Sequence, residues 1–232
     1  MTEGGEPAWA PGSFLDQLSA VEREELLGLG ITRRLPGGRT LLVEGRLDTQ
    51  VEVIREGQVK VTTAVGGVPR LLAIRLPGDL VGEFAAFTGN GRTATVTTCG
   101  QVVSTVIRQP DFVDFVNRHP NVALQITATV GRRLRWANER RSEFSAFPAH
   151  VRLARILLEI ATSCGEAVAD GVQITVELSQ TELAYLIGAK EDTVQRALRQ
   201  LRAEGLLRTG YRRIVVLDEA GMRALVESAE WT

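Results

Sequence analysis

The sequence predicts an α+β fold with a β-rich N-terminal domain, one long helix, and a C-terminal helix-turn-helix carrying a two-strand wing. Three observations predict it. Between about residues 31 and 108 the chain runs in short β-rich stretches, RTLLVEG, QVEVIREGQVKVTTAV, RLLAIRL, LVGEF, TATVTT and VVSTVIR, closely punctuated by Gly, Pro, Asp and Asn. Residues 121–144 then continue without proline and with one glycine. Residues 178–207 form two helical segments split at Gly188, followed by a basic hairpin.

Taken in order, residues 1–12 are acidic and rich in Gly and Pro, and read as a disordered tail. They lack the basic start and apolar run of a signal peptide. Residues 13–30 have helical spacing, and Ser19-x-x-Glu22 fits a capping box. The β-rich stretches that follow are short and regularly spaced, which suggests a small antiparallel barrel or sandwich. The pairs Glu56-Gly57, Gly66-Gly67 and Pro77-Gly78 suggest hairpin turns between them. PDFVDFVNRHP is a short helix closed by His119-Pro120. In the long helix Thr127, Val130, Leu134, Ala137, Arg141 and Phe144 follow 3-4-3-4-3 spacing, a coiled-coil-like seam that favours a homodimer. Phe147-Pro148 marks a hinge. One helix, a turn, a strand (VQITVEL), two helices, two strands around Thr209-Gly210 and a last helix complete the chain. The domains expected are a sensor over residues 13–120, a dimerisation helix over 121–146, and a helix-turn-helix domain over 147–232.

The 232 residues are 44% hydrophobic and 24% charged, with a net charge of −1, ordinary values for a globular chain. No run of about 18 apolar residues is present, so no membrane helix is expected. The two cysteines, Cys99 and Cys164, lack metal-ligand spacing and read as free thiols in a reducing cytoplasm. Neither a Walker loop, a G-x-S-x-G turn, a His-rich metal motif nor a nearby Cys–His pair occurs, so an enzyme is not expected. An iron–sulfur cluster needs about four cysteines. Haem needs an axial ligand such as His, and His119 and His150 sit at helix boundaries. Neither of these cofactors, nor a metal, is expected.

The stretch LSQTELAYLIGAKEDTVQRALRQLRAEGLL carries the nucleic-acid signal. Ser179-x-x-Glu182 is a capping box that starts its first helix, and Gly188 allows the tight turn to the second. Val194, Ala197, Leu198 and Leu201 bury one face of the second helix, and basic and polar residues occupy the other. Residues 179–213 hold seven Lys or Arg against four Asp or Glu, a local excess of the sign that attracts phosphate. Arg208, Arg212 and Arg213 flank the hairpin, where they would lie along a DNA backbone. The candidate DNA-binding residues are Ser179, Gln180, Lys190, Glu191, Asp192, Thr193, Gln195, Arg196, Arg199 and Arg212.

A second signal lies in GDLVGEFAAFTGNGRTATV, residues 78–96, an apolar stretch that nonetheless contains Glu83 and Arg92. A charge there is costly unless it is paired. With the helix-turn-helix, the run Gly82-Glu83-Phe84-Ala85-Ala86-Phe87 and Arg92-Thr93-Ala94 resembles the CRP/FNR family of bacterial transcription regulators, over about residues 14–217. The run resembles the phosphate-binding cassette of cyclic-nucleotide domains, which implies a double-stranded β-helix barrel.

The resemblance implies that Glu83 takes a ribose 2′-hydroxyl and Arg92 the cyclic phosphate. Thr93 adds its hydroxyl, and the backbone around Gly82–Ala85 lines the turn. The planar fork of Arg suits a phosphate. A helix beginning near Glu83 would add its N-terminal dipole. Double-stranded DNA, a second copy of the chain and RNA polymerase are the implied partners, with cAMP or another cyclic nucleotide as effector. The base would be met on the long helix at Ala137 and Asn138. Ala137 lacks the hydroxyl of the cyclic-AMP receptor proteins, so Asn138 remains as the adenine contact. Readers of a TGTGA half-site fall on Glu191, Asp192 and Arg196. The first is an acid in place of Arg, so a different half-site is expected. Two alternatives stand beside this reading. One is an internal Glu83–Arg92 ion pair in a domain that binds nothing; the other is a sensor tuned to a different effector.

Overall fold

The computed structural model describes residues 9–230, so residues 1–8 of the expected tail lie outside it. Residues 9–12 of that tail are packed rather than free. Trp9 lies against the core of the first domain, Ala10 N–H donates to Pro77 O at 3.0 Å, and Gly12 N–H donates to Asp16. The chain forms two compact units, one of residues up to 69 with 73–133, the other of 70–72 with residues from 134 onward.

In the first unit a 3-10 turn (Leu15–Gln17) leads into α1 (Ala20–Gly28), which starts at the expected capping box of Ser19 and Glu22. Eight strands follow: β1 (Ile31–Leu35), β2 (Thr40–Leu42), β3 (Val51–Glu56), β4 (Val59–Val65), β5 (Val68–Arg75), β6 (Leu80–Val81), β7 (Thr95–Thr98) and β8 (Val102–Ile107). A short α2 (Glu83–Thr88) is inserted between β6 and β7. After β8 come α3 (Gln109–Arg118) and the long α4 (Pro120–Ala146).

The strands form two separate four-stranded antiparallel sheets, in orders β1-β8-β3-β6 and β2-β7-β4-β5. The barrel expected from the sequence is therefore a jelly-roll pair of sheets without a closed hydrogen-bonded ring. Only the Gly66-Gly67 turn joins neighbouring strands, β4 and β5. The turns at Glu56-Gly57 and Pro77-Gly78 instead carry the chain from one sheet to the other.

Alternation within the strands divides the interior in two. Val51 and Val53 of β3 and Leu80 of β6 face a core that contains Phe14, Leu26, Phe112, Phe115, Val122 and Ile126 from the helical segments. Ile54 and Val81, one residue on, face a second core with Leu42, Val59, Val96 and Val102 from strands of both sheets. β1 was not among the predicted stretches, because ITRRL carries two arginines. It pairs with β8 along its length, and Arg33 reaches the fully buried Glu52 at 2.6 Å, which also accepts from Ser104 Oγ at 2.9 Å. Desolvation dominates at Glu52 and raises its pKa above the usual carboxylate range, against the opposing pull of Arg33.

In the second unit α5 (Ala149–Cys164) is the central helix and packs on α6 (Gln180–Ile187), α7 (Glu191–Ala203) and α8 (Glu219–Glu230). A sheet in the order β11-β12-β10-β9 completes it, built from β9 (Gly165–Val168), β10 (Gly171–Ile174), β11 (Leu207–Gly210) and β12 (Arg213–Val216). Two details differ from expectation. The single strand VQITVEL is shorter, and it is preceded by β9, with which it forms a hairpin. The wing turns at Tyr211-Arg212 rather than Thr209-Gly210, because Gly210 and Arg213 are a paired rung. The break at Phe147-Pro148 is tied down: the buried Arg152 donates to the carbonyls of Phe144 and Phe147, which close the C-terminal end of α4.

Phe112 has no exposed surface and sits in the helix-facing core. Phe112→Ala is expected to destabilise the first unit by about 3–5 kcal/mol. Urea unfolding would check this, and an unmoved midpoint would contradict the core as described.

Candidate ligand pocket and nucleic-acid interface

Six of the seven residues expected to meet a ligand line one cavity of about 230 Å³ in the first unit: Gly82, Glu83, Phe84, Ala85, Arg92 and Thr93. The turn that builds it requires glycine at 82. Gly82 has φ +87°, and a Cβ there would come within 2.5 Å of Arg92 Nη1 and 3.0 Å of Gln50 O. From this residue α2 begins at Glu83, as expected.

Glu83 and Arg92 do not pair with each other. Arg92, 4% exposed, directs its guanidinium at the pocket wall: Nε to Asp48 at 2.5 Å, Nη1 to Gly82 O at 2.9 Å, Nη2 to Gln50 O at 2.6 Å. Glu83 is met by Arg133 of α4 at 2.6 Å. The same guanidinium donates to Leu80 O at 2.8 Å and lies 3.4 Å from Asp79. Thr93 is exposed toward solvent, and its hydroxyl has no hydrogen-bond partner among the described residues. A ligand oxyanion would therefore find the Thr93 hydroxyl open, and Arg92 held in place by three internal acceptors.

Arg75 and Arg133 line the same cavity and were not among the predicted residues. Asn138, the seventh expected ligand residue, is exposed on the part of α4 that belongs to the second unit. The faces of α4 explain both placements. Its inward stripe is Val122, Ile126, Thr129, Arg133, Trp136, Arg140 and Glu143, all buried or half-buried. The predicted seam runs one residue ahead, and all six of its members are exposed, including Val130 (40%), Leu134 (61%) and Phe144 (40%). Val130 also borders the cavity and the Phe144 ring lies against Gly188, while the other four seam residues face solvent.

In the second unit, Ser179, Gln180, Gln195, Arg199 and Arg212 line one groove with Arg202, Tyr211 and Arg213, bounded by the helix pair and the wing. Lys190, Glu191, Asp192, Thr193 and Arg196 occupy the first turns of α7 and are exposed, apart from a half-buried Thr193. Gly188 makes the turn between the helices with φ +59°, and a Cβ there would meet the Phe144 ring at 2.7 Å. Glu191 accepts from the Thr181 hydroxyl, which joins the start of α7 to α6. Wing and helix arginines hold surface partners: Arg212 with Glu177 at 3.2 Å, Arg208 with Asp170 at 2.7 Å, Arg202 with Thr209 at 3.1 Å. Arg212 is the one described non-glycine residue with positive φ, 52°.

Arg140 Nε and Nη2 donate to Leu186 O, at 3.1 and 2.7 Å, near the end of α6. Its guanidinium stacks 4.4 Å from the Trp136 ring. Trp136 donates to Glu159 of α5 at 2.5 Å. Burial raises the Glu159 pKa and lowers that of Arg140. Among the described residues no cluster of three or more His, Cys, Asp or Glu could hold a metal ion, and no helix is long and apolar enough to cross a membrane.

Comparison with known proteins assigns both halves. A cyclic nucleotide-binding domain matches residues 32–119, and a Crp-like helix-turn-helix domain matches residues 151–225. A CRP-like cAMP-activated global transcriptional regulator of Mycobacterium tuberculosis is 28% identical over 184 residues, 79% of this chain and 82% of its own length. A cyclic AMP receptor protein of Thermus thermophilus is 29% identical over 211 residues, 90% and 94% of the two chains. Among solved structures, the c-di-GMP responsive regulator CLP of Xanthomonas campestris has the same fold, with a TM-score of 0.74 at 21% identity over 86% of this chain and all of that one. The catabolite activator protein of Thermus thermophilus gives a TM-score of 0.51 at 26% identity over 93% and 99%.

Replacing Arg133 leaves Glu83 and Asp79 without their cation. Arg133→Ala is expected to destabilise the first unit by about 2–3 kcal/mol, less than a fully buried pair because these groups keep some solvent. Chemical denaturation of Arg133→Ala, Glu83→Ala and the double variant would measure the coupling. Strict additivity would mean that the pair does not hold the helix.

Proposed function

The chain belongs to the CRP/FNR family of bacterial transcription regulators, and from that premise we propose that it is an effector-gated regulator whose pocket takes a purine cyclic nucleotide. The observation that carries the proposal is the convergence of Glu83, Arg92 and Thr93 on one cavity. Glu83 would accept from the ribose 2′-hydroxyl. Arg92 and Thr93 would hold the cyclic phosphate, with the guanidinium already oriented by Asp48, Gly82 and Gln50. cAMP is the effector in the names of the Mycobacterium and Thermus relatives, and it is the first ligand to titrate.

The working unit in this proposal is a homodimer. The exposed seam of Val130, Leu134 and Phe144, with Leu124 six residues before Val130, offers an apolar stripe on a 27-residue helix. A second copy would cover it. Two recognition helices would then meet a two-fold operator in double-stranded DNA, through Lys190, Gln195, Arg196 and Arg199, with Ser179, Gln180 and Arg212 on phosphates. Glu191 is given a positioning role, because its carboxylate is already bonded to Thr181. Asp192 and Thr193 stay at the mouth of the major groove, where an acid can accept from cytosine N4. RNA polymerase is the further partner of such a regulator. Ligand and DNA must then tighten each other's binding reciprocally.

Calorimetric titration of the full chain with cAMP and then cGMP tests the pocket. Saturable binding that is lost in Arg92→Ala, with the folded state intact by circular dichroism, is the expected result. Flat titrations with both nucleotides, alongside retained DNA binding, would instead select a regulator whose sensor takes another effector or none. Sedimentation should give twice the chain mass for the wild type and a shift to monomer for Leu134→Glu. An unshifted Leu134→Glu would remove the seam as the dimer contact.

A further inference from the structure

We infer that Arg75 selects the base of the nucleotide, pairing as a fork with the acceptors of a keto purine, guanine, in preference to adenine. The inference deepens the nucleotide reading above and rests on it.

The polar side chains of the cavity are Arg75, Glu83, Arg92, Thr93 and Arg133. Three are guanidiniums, and two of those are engaged within the protein. Arg92 has Nε, Nη1 and Nη2 all directed at internal acceptors. Arg133 has both Nη atoms on Glu83, Asp79 and Leu80 O. Arg75, the last residue of β5, makes one hydrogen bond among the described residues, from Nη1 to Ile74 O at 3.2 Å, and no carboxylate lies within ion-pairing distance of it. Burial, reinforced by the nearby positive charge of Arg133, pushes its pKa down to about 10, so it remains charged at neutral pH. The cavity thus contains one cation with most of its five N–H donors unused. Arg75 is half-buried, and a ligand that supplies acceptors to its unused donors adds charge-assisted hydrogen bonds.

The acceptors of the cavity are few. Glu83 gives one oxygen to Arg133 and its other to the ribose hydroxyl in the reading above, which leaves the Thr93 hydroxyl for the rest of the ligand. A ligand rich in acceptors fits such a lining better than one that brings donors. Guanine presents O6 and N7 side by side, at the spacing of a guanidinium fork. Adenine presents N7 beside an amine, so a guanidinium there would face donor against donor. Apolar walls from Leu42, Val61 and Val130 suit the flat faces of either purine. Base choice therefore falls to the fork.

The test is calorimetry of the full-length wild type, Arg75→Leu and Arg75→Lys with cGMP and with cAMP. The wild type is expected to bind cGMP more tightly than cAMP. Arg75→Leu should weaken cGMP by about 10- to 100-fold, the range of one bidentate pair, while cAMP stays level or improves. Arg75→Lys, which keeps charge and loses the fork, should recover only a minor part of the preference. Binding of both nucleotides with a cGMP-to-cAMP ratio unmoved by Arg75→Leu would overturn the inference and leave the pocket intact. Binding of neither by the wild type would remove the nucleotide reading, and this inference with it.

Discussion

The first unit depends on the contact of Arg133 with Glu83, Asp79 and the Leu80 carbonyl. Those three acceptors span β6 and the start of α2, the segment that forms one side of the cavity. Arg133 comes from α4, nearly a hundred residues from β1 in the chain and on the helix that continues into the second unit. A pair of this kind is held at a desolvation cost, so it tolerates removal of one partner poorly. The position of this part of α4 against β6 and α2 is thereby linked to the contacts of the Glu83 carboxylate. A ligand hydroxyl that engages Glu83 competes with, or complements, the same carboxylate that holds the helix. That shared carboxylate is a physical route by which occupancy of the cavity could bias α4.

Arg92 illustrates the complementary constraint. Its fork is fastened to Asp48, Gly82 O and Gln50 O before any ligand is considered. Such a group loses little side-chain entropy when a phosphate arrives, which favours binding. It also explains why glycine is needed at 82: the carbonyl must turn toward Arg92 at a φ of +87°, and no side chain fits between them. The cassette is therefore a prefolded frame, with Thr93 as its open donor.

Much of the architecture was legible because it rests on local signals. Both capping boxes, the Gly188 turn and the apolar face of α7 follow directly from residue type and spacing. The charged residues of the cassette were legible as well, because an acid and an arginine in an apolar run stand out. Their partners were not. Glu83 and Arg92 lie close in sequence, which suggests each other, yet each is answered by a residue about 45–50 positions away. Long-range pairing of this kind depends on sheet order, and the sheet order was obscured by turns that cross between sheets rather than close hairpins. β1 was missed because its two arginines break the apolar pattern, although one of them neutralises a buried acid. The seam on α4 was seen and its neighbour stripe was not. The inward face mixes Val122, Ile126 and Thr129 with Arg133, Trp136 and Arg140, so apolar periodicity followed the exposed face instead. An arginine in register with Val122, Ile126 and Thr129 was the available signal for Arg133. Arg75 carried no signal, since a strand-terminal arginine is ordinarily solvated.

The two functional faces use the same residue type under opposite conditions. In the cavity, Arg92 and Arg133 are buried or half-buried and their pairs are held in fixed geometry. On the wing and recognition helix, Arg208, Arg212 and Arg202 keep partners at the surface, with the wing pairs more than half exposed on the basic side. Exposed pairs contribute little to stability, so they yield readily to a stronger anion. A DNA phosphate can take an arginine from Asp170 or Glu177 at small cost, and the side chains can adjust to the backbone they meet. The local excess of positive charge in residues 179–213 thus acts as an adaptable surface. The rigid element behind it is the helix pair, fixed by Val194, Leu198 and Leu201 in the core and by Arg140 on the Leu186 carbonyl. In the proposed reading, discrimination among ligands belongs to the cavity arginines, where geometry is constrained, and adaptable backbone binding to the exposed ones, where it is not.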